Sequence, residues 1–266
     1  MRKKYVFLSV SLFLILGFWQ QAQAAEKKEE PRIRVLLAKE AKGVLLEARG
    51  GYKILQRDGR KMLSHGTTGK RFVVHAISSG IRWGEEFPGI YAISIFPLDA
   101  KTSFYVDGLQ YKGAIHVYCT KKGFIHVVNE VSIEDFVAST MSVKLTSPLS
   151  QEAINALAIA ARTNAYSEVF YRTDASSLWD LLAKECGYLG MGVTMSKNGV
   201  DEAVLTTKHI VLEEKGGMPT HAVNLSAGDA EKLALKGLDA KRILRSVLPH
   251  CETAVIASKT KPVAQA

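Results

Sequence analysis

The stretch VSIEDFVASTMSVKLTSPLSQEAINALAIAARTNAY, residues 131–166, marks the change from strand-like to helical patterning along this chain. Ser132 is suited to N-cap a short helix over 133–141, and two acids follow in its first turn, where the helix dipole favours negative charge. Ser150 N-caps a second helix over 151–171, whose apolar residues recur at spacings of three and four. The stretch therefore predicts two consecutive helices that begin directly after a strand.

The sequence on either side of this stretch indicates the fold class. Residues 32–130 alternate short apolar runs with glycine-containing turns, which is typical of antiparallel β-structure. Downstream, helices are predicted over 176–185 and over 229–248, the latter broken at Gly237, and strands over 203–214 and 252–257. The upstream runs are 33–37, 43–48, 52–55, 71–77, 90–96, 103–106, 114–119 and 124–131. We expect an α+β fold, with an antiparallel β-rich N-terminal region (32–130) followed by mixed helices and strands (131–257), and leave open a division into two lobes.

The first 24 residues have the three parts of a secretory signal peptide. Three basic residues precede an apolar run over 6–19, and Ala22 and Ala24 form a small-x-small cleavage site. The run has 14 residues, whereas a membrane span needs about 20. We therefore predict export to the periplasm or cell envelope with cleavage, and an uncleaved anchor is the alternative. Residues 25–31 form a polar linker, and 258–266 a flexible tail.

The charge of the chain favours an anionic partner. Its formal net charge is +9, and removal of residues 1–24, with three basic and no acidic residues, leaves 9 − 3 = +6. Cys119, Cys186 and Cys251 are an odd number, so at most one internal disulfide forms, and none belongs to a CxxC pair. The histidines have no ligand spacing such as HExxH, and His116 and His126 are expected on opposite faces of a hairpin with an even-length loop. No metal site and no cofactor are predicted.

Three blocks, in order, resemble the SpoIID/LytB family, the stage II sporulation protein D group of cell-wall proteins. NEVSIEDFVASTMSVKLT and LSQEAINALAIAARTNA are similar to the family's "N-x-V-x-L-E-E-Y-L-x-G-V-V-x-x-E-M-P" and "W-P-x-E-A-L-K-A-Q-A-V-A-A-R-T-Y-A". GVDEAVLTTKHIVL is similar to the family's "A-V-x-x-T-x-G-x-V-L". THAVNLSAGDAEKLALKGLDAKRILRSVLP resembles the family block that begins "G-H-G-V-G-M-S-Q" and retains His221 and Ser226. Residues 131–257 are thus expected to form a SpoIID-like core.

This resemblance implies work on peptidoglycan. Family members bind glycan strands stripped of stem peptides; some cleave them as lytic transglycosylases, and others are described as enhancers of cell-wall amidases. Lys144 stands where the family has its catalytic glutamate. A lysine ammonium, with a reference pKa of about 10.4, is a poor acid for a glycosidic oxygen. Cys186 resembles a family cysteine that binds zinc in some members, but no matching histidine follows, so we assign no metal.

Three functional hypotheses follow from the resemblance. The favoured one is a peptidoglycan-binding protein that acts in cell-wall remodelling at division or septation, with its catalytic residue lost. In it Lys144 holds the lactyl carboxylate of muramic acid and Arg162, Thr163, His221 and Ser226 complete a glycan-binding cleft, although Arg162 could instead be paired inside the fold. The second is an active lytic transglycosylase with Glu152 or Glu134 as its acid. The third is an amidase enhancer that uses the helix 229–248.

The expected partners follow from these hypotheses. They are peptidoglycan glycan strands or a cell-wall amidase. No nucleic acid is expected, and a membrane contact is expected only through an uncleaved signal segment.

Overall fold

The alternating runs of the N-terminal region form two β-sheets. The computed structural model describes residues 30–57, 59, 61–172, 174, 176–191 and 198–256. The predicted signal peptide (1–24), most of the linker and the tail (258–266) lie outside these residues. The strands of this region are β1 (Arg32–Ala41), β2 (Val44–Arg49), β3 (Tyr52–Gln56), β4 (Met62–Gly66), β5 (Lys70–Ile77), β6 (Gly80–Trp83), β7 (Glu85–Pro88), β8 (Ala92–Pro97), β9 (Ser103–Val106), β10 (Leu109–Tyr111), β11 (Ala114–Cys119) and β12 (Ile125–Ser132).

The second half of the chain supplies six described helices and three short strands. They are α1 (Ile133–Lys144), α2 (Gln151–Phe170), β13 (Leu181–Leu182), α3 (Ala183–Cys186), α4 (Val200–Thr206), β14 (Ile210–Glu213), α5 (Ala227–Ala234), α6 (Ala240–Val247) and β15 (Glu252–Val255). The structure thus confirms the α+β fold class.

The two larger sheets share one apolar core. One sheet has the strand order β13-β1-β12-β11-β8-β3-β4 and the other β10-β9-β2-β5-β6-β7. Because side chains alternate along a strand, each sheet turns one apolar face inward. Ile54 and Ile95 of the first sheet and Leu46 and Trp83 of the second are fully buried in the same cluster. The indole of Trp83 donates to the carbonyl of Leu46 at 3.0 Å, so its polar atom is satisfied inside the core.

The long helix α2 packs closely because its buried face is rich in alanine. Ala153, Ala156, Ala158 and Ala160 are all buried, and such small side chains let neighbouring elements approach closely. The helix α1, which begins where β12 ends, lies beside α2. The side chain of Ser132 accepts a hydrogen bond from the Asp135 N–H at 3.1 Å, as predicted. The helix continues to Lys144, three residues further than expected.

Two predicted elements are wrong. Residues 203–214 were expected as one strand, but their first part belongs to α4 and only β14 is extended. Val200, Ala203 and Val204 recur at helical spacing and are buried, so packing overrides the strand preference of the β-branched residues. Residues 176–185 were expected as a helix, but the strand β13 interrupts them and pairs in parallel with β1.

Other elements agree with expectation. The break at Gly237 is confirmed: this residue has φ +81° and lies between α5 and α6. The described residues from Pro31 onward form one compact unit. Within the described residues, no helix has both the length and the apolar character that a membrane crossing requires. Cys119, Cys186 and Cys251 are free thiols.

Candidate functional site

Lys144, the residue at the family's catalytic position, is exposed at the last position of α1. A cation is favoured there because the carbonyl end of a helix carries partial negative charge. The next residue, Leu145, accepts a hydrogen bond through its carbonyl from the Asn198 side chain at 2.7 Å. Burial raises the pKa of the nearby Cys186 thiol, and the charge of Lys144 partly opposes this. Lys144 therefore offers an accessible positive charge and no carboxyl group.

Arg162 is paired inside the fold, which was the alternative to a place in a glycan-binding cleft. Its side chain is 0% exposed, and its Nε and Nη2 donate to the Glu134 carboxylate at 2.8–3.1 Å. Its Nη1 donates to Thr207 Oγ1 and to the Ile210 carbonyl, both at 3.2 Å. The sequence resemblance implied a glycan contact for Arg162, but the buried guanidinium has no surface to offer one, because it joins α1, α2, α4 and β14.

Thr163 and Ser226 also hold structural contacts. The hydroxyl of Thr163 is buried, donates to the Ile159 carbonyl at 2.7 Å and accepts from the Leu212 N–H at 2.9 Å. It therefore ties α2 to β14 and is not available to a ligand. The hydroxyl of Ser226 accepts from the Asp229 N–H at 3.0 Å and so N-caps α5; this side chain is exposed.

The carboxylate of Glu152 satisfies the start of another helix. It accepts from the Ala240 N–H, the first residue of α6, at 2.7 Å. Conversely, the Glu231 carboxylate in α5 accepts from both the N–H and the hydroxyl of Ser150, the N-cap of α2, at 2.7 Å. The start of α6 is thus satisfied by a carboxylate of α2, and the start of α2 by a carboxylate of α5. The sequence did not reveal Glu231, because its partner lies 81 residues away.

His221 stacks on Tyr171 just beyond the C-terminal end of α2. The ring centroids are 3.8 Å apart and the planes are inclined by 28°. The Tyr171 hydroxyl donates to the Pro219 carbonyl at 2.8 Å, which fixes the tyrosine ring of this stacked pair. Together with Glu168, Arg172, Trp179 and Asp180 this pair lines an open cleft of about 240 Å³, here called the aromatic cleft.

Asp180 organises one wall of the aromatic cleft. Its side chain is 2% exposed and accepts from the Arg34 backbone N–H at 2.8 Å, from the Arg34 guanidinium at 2.9 Å and from Arg172 Nη2 at 2.5 Å. Arg172 Nε is buried with no hydrogen-bond partner among the described residues. The sequence reasoning missed this wall, since it took the segment for a helix. In the sequence, the acidic Asp180 next to Trp179, within the otherwise apolar run 178–182, could have indicated this wall.

The predicted site residues do not come together. Leu145, next to Lys144, is bonded to Asn198, and a Cβ on the following Gly199 would lie 3.0 Å from Gln151 Oε1, so Lys144 lies by the N-terminal end of α2. His221 lies at the opposite end of this 20-residue helix, which is about 30 Å long at 1.5 Å per residue. One sugar cannot contact both side chains. Among the described residues there is also no group of three His, Cys, Asp or Glu side chains arranged to hold a metal ion.

With this geometry in place, the comparisons identify the class of protein. The chain belongs to the SpoIID family: the family model described as "Stage II sporulation protein" matches residues 121–213, from the β11–β12 loop to the end of β14. The matched residues include Lys144, Arg162 and, from the aromatic cleft, Tyr171 and Asp180. His221 lies beyond the matched residues. Membership suggests a role related to the cell wall.

Two similar proteins come from chlamydiae, and both are described as uncharacterized. The protein from Chlamydia muridarum is 38% identical over 229 residues, which cover 86% of this chain and 79% of the relative. The protein from Chlamydia pneumoniae is 37% identical over 229 residues, with 86% and 83% coverage. No solved structure is significantly similar to this chain.

Proposed function

We propose that this protein is exported and binds denuded glycan strands of peptidoglycan, in the remodelling of the cell wall, without cleaving them at the family's acid position. One observation carries this proposal: the residue at that position is the exposed ammonium of Lys144. Strand cleavage needs a group that first donates a proton to the glycosidic oxygen and then accepts one. A lysine ammonium, with a reference pKa of about 10.4, is too weak an acid to protonate the glycosidic oxygen in the first step.

The two acids named as replacements are committed to the fold. Glu134 accepts from the Arg162 guanidinium and from the His209 N–H at 3.0 Å. Glu152 accepts from the N-terminus of α6. If Glu134 turned to a substrate it would leave the buried Arg162 guanidinium unsatisfied, and Glu152 would leave the part-buried Ala240 N–H unsatisfied, so a catalytic role for either would be costly to stability. These contacts support binding rather than cleavage.

The aromatic cleft supports a sugar ligand. Ligand sites combine aromatic walls with a few fixed polar groups, and here the Tyr171–His221 stack and Trp179 are combined with Arg172. The apolar face of a pyranose ring can lie on such rings while its hydroxyls reach the polar groups. In this proposal, Lys144 holds a lactyl carboxylate further along the same strand, near the other end of α2.

A binding assay with purified strands tests the proposal. Residues 25–266, which retain every described element, are incubated with denuded glycan strands and with sacculi that keep their stem peptides. We expect retention on denuded strands, at least tenfold weaker affinity for His221→Ala, a smaller loss for Lys144→Gln, and no loss for Lys122→Gln, an exposed lysine in the β11–β12 loop. Equal affinity of H221A and the unmodified protein, or no retention at all, would contradict the proposal.

One observation favours strand cleavage as a second function. Glu168, an exposed carboxyl that the sequence reasoning did not single out, lines the aromatic cleft. The test is release of anhydro-muramyl ends from denuded strands by the unmodified chain and by Glu168→Gln. Anhydro products that disappear in E168Q would assign cleavage to this cleft, and their absence from the unmodified chain would leave binding as the function.

A further inference from the structure

The outer face of the seven-stranded sheet carries a row of three rings. The centroids of Phe96 and His116 are 6.0 Å apart, and those of His116 and Tyr118 are 6.2 Å apart. The row forms because β8 and β11 pair with His116 opposite Ser94, so that alternate residues of both strands point to this face. A cation lies over each end: Lys53 Nζ is 5.8 Å from the Phe96 centroid, and the Arg57 guanidinium is 5.4 Å from that of Tyr118.

The pairing of β11 with β12 corrects an earlier expectation. The loop between these strands has five residues (120–124), and Tyr118 pairs with His126. His116 and His126 therefore point to the same face, not to opposite faces, because the loop is not of even length. The ring of His126 contacts Trp179 at 5.2 Å, so the segment that contains Trp179 covers part of this face.

The central ring of the row is fixed by hydrogen bonds. His116 Nδ1 lies 2.7 Å from Ser94 Oγ, and Nε2 lies 3.1 Å from the Glu130 carboxylate. The bond with His116 holds the pKa of Glu130 below its usual value, although burial opposes this. Glu130 is therefore ionised and bonded to His116, and among the described residues its ion-pair partners are His116 and Arg32, not Arg57.

A cavity of about 400 Å³ opens at the Tyr118 end of the row, here called the sheet cavity. Arg57, Ile90, Tyr91, Tyr118, Cys119 and Leu178 lie around it. Its volume is within the range of small-molecule sites, about 300–1,000 Å³. The Tyr91 side chain is 55% exposed. Burial raises the pKa of Tyr118, although the charges of Arg57 and Arg34 oppose this.

Within the described residues, Arg57 at this cavity has no carboxylate partner. It contacts the Tyr118 ring, and in the part of the chain that the structure describes no carboxylate lies within ion-pair distance of it. A guanidinium presents a planar fork of donors that matches a carboxylate. An exposed tyrosine ring beside such a fork suits a ligand with both a ring face and an anionic group.

We infer that the sheet cavity is a second binding site, which takes a sugar ring that carries a carboxylate. The ring lies against Tyr91 and Leu178, and the carboxylate pairs with Arg57. The choice of a sugar over other ring-bearing anions rests on the proposed function. The site is adjacent to the aromatic cleft, since Leu178 lines the sheet cavity while Ser177 and Trp179 line the cleft. The segment 177–179 thus separates the sheet cavity from the aromatic cleft, and both are proposed sites for one glycan strand.

Titration of ¹⁵N-labelled residues 25–266 with three soluble probes tests this inference. The probes are N-acetylmuramic acid, N-acetylglucosamine, which lacks the carboxylate, and inorganic phosphate. We expect N-acetylmuramic acid to shift the resonances of Tyr91, Tyr118 and Leu178, and N-acetylglucosamine to bind at least tenfold more weakly. Arg57→Gln and Tyr91→Ala should each weaken binding at least tenfold. Arg71→Gln, an exposed arginine on the other sheet, should not change it.

The failing outcomes are distinct from those of the proposed function. Unshifted cavity resonances, or equal affinity for R57Q and the unmodified protein, would overturn the inference. Equal shifts with phosphate would overturn the assignment to a sugar, since an anion alone would then suffice. H221A is expected to bind N-acetylmuramic acid at the sheet cavity unchanged. Sugar binding without strand retention would therefore refute only the proposed function, and strand retention without sugar binding only this inference.

Discussion

At the scale of single residues, the buried ion pair of Arg162 and Glu134 holds α2 and α1 together. Replacing Arg162 by methionine leaves the Glu134 carboxylate, 12% exposed, without its cation. Removal of one partner of such a pair costs about 3–5 kcal/mol, so we expect the free energy of unfolding to fall by about that amount in urea denaturation. The double variant Glu134→Leu/Arg162→Met removes both charges and should recover most of the loss. An unchanged R162M would contradict the structural role.

The stability of the fold is expected to depend on pH through Glu130. Its pKa is lowered from 4.5 in the folded state, first because of the hydrogen bond with His116. A carboxyl with a lowered folded pKa stabilises the fold fully above its unfolded pKa and loses that contribution as the pH falls through the folded value. We therefore expect Glu130→Gln to be less stable than the unmodified protein at pH 6. The gap should shrink below about pH 4.5, measured by urea denaturation across this range. A gap that widens in acid would refute it.

The residue scale also shows where sequence reasoning stops. The alanine-rich stripe on α2 predicted close packing around Arg162, and that packing is present. The choice between a buried pair and a cleft for Arg162 was open, because its carboxylate partner lies 28 residues away and its other acceptors 42–48 residues away. Local spacing carries no information on such contacts. The same holds for Glu152, whose partner is 88 residues distant.

At the scale of elements, two glycines with nearly the same φ distinguish the cost of a left-handed backbone from the cost of a steric clash with a neighbouring strand. Gly113 has φ +79° and Gly123 has φ +78°, but a Cβ on Gly113 would lie 2.1 Å from the Glu130 carbonyl oxygen, whereas one on Gly123 meets nothing within 4 Å. Gly123→Ala should cost only the left-handed conformation, about 1–2 kcal/mol. Gly113→Ala should cost more than about 3 kcal/mol, since β11 and β12 must also separate. Thermal unfolding of both variants measures the difference, and equal losses would contradict it.

Element type was predictable where local patterns and packing agree. All eight upstream runs are strands, whereas β4, β6, β7 and β10 were missed because they are short and depend on ladder partners rather than on their own composition. The segment 203–214 shows the opposite case, in which valine and threonine suggest a strand and burial against α2 selects a helix. The aromatic cleft was missed for a related reason, since β13 exists only through its pairing with β1.

At the scale of the whole molecule, export can be tested directly. The described fold begins after residue 29, so removal of the first 24 residues takes away none of its strands or helices. We expect the protein recovered from the cell envelope to begin at Ala25, as read by N-terminal sequencing. Replacing Ala22 and Ala24 by arginine should leave the longer chain uncleaved. Recovery of the unmodified protein with an intact N-terminus would favour the anchored alternative.

The pairing of β1 has a consequence for the order in which the chain can fold. Arg32 lies opposite Ser132, and Val35 lies beside Leu181, so the first strand waits for partners made about 100 and 150 residues later. Contacts so distant in sequence slow folding, because a long loop must close before they form. When only the residues up to Ser132 have left the ribosome, β1 can already pair with β12, but the edge of β1 that later pairs with β13 is still open. A fragment that begins at residue 121, where the family match begins, would lack β1 and with it a partner for both β12 and β13.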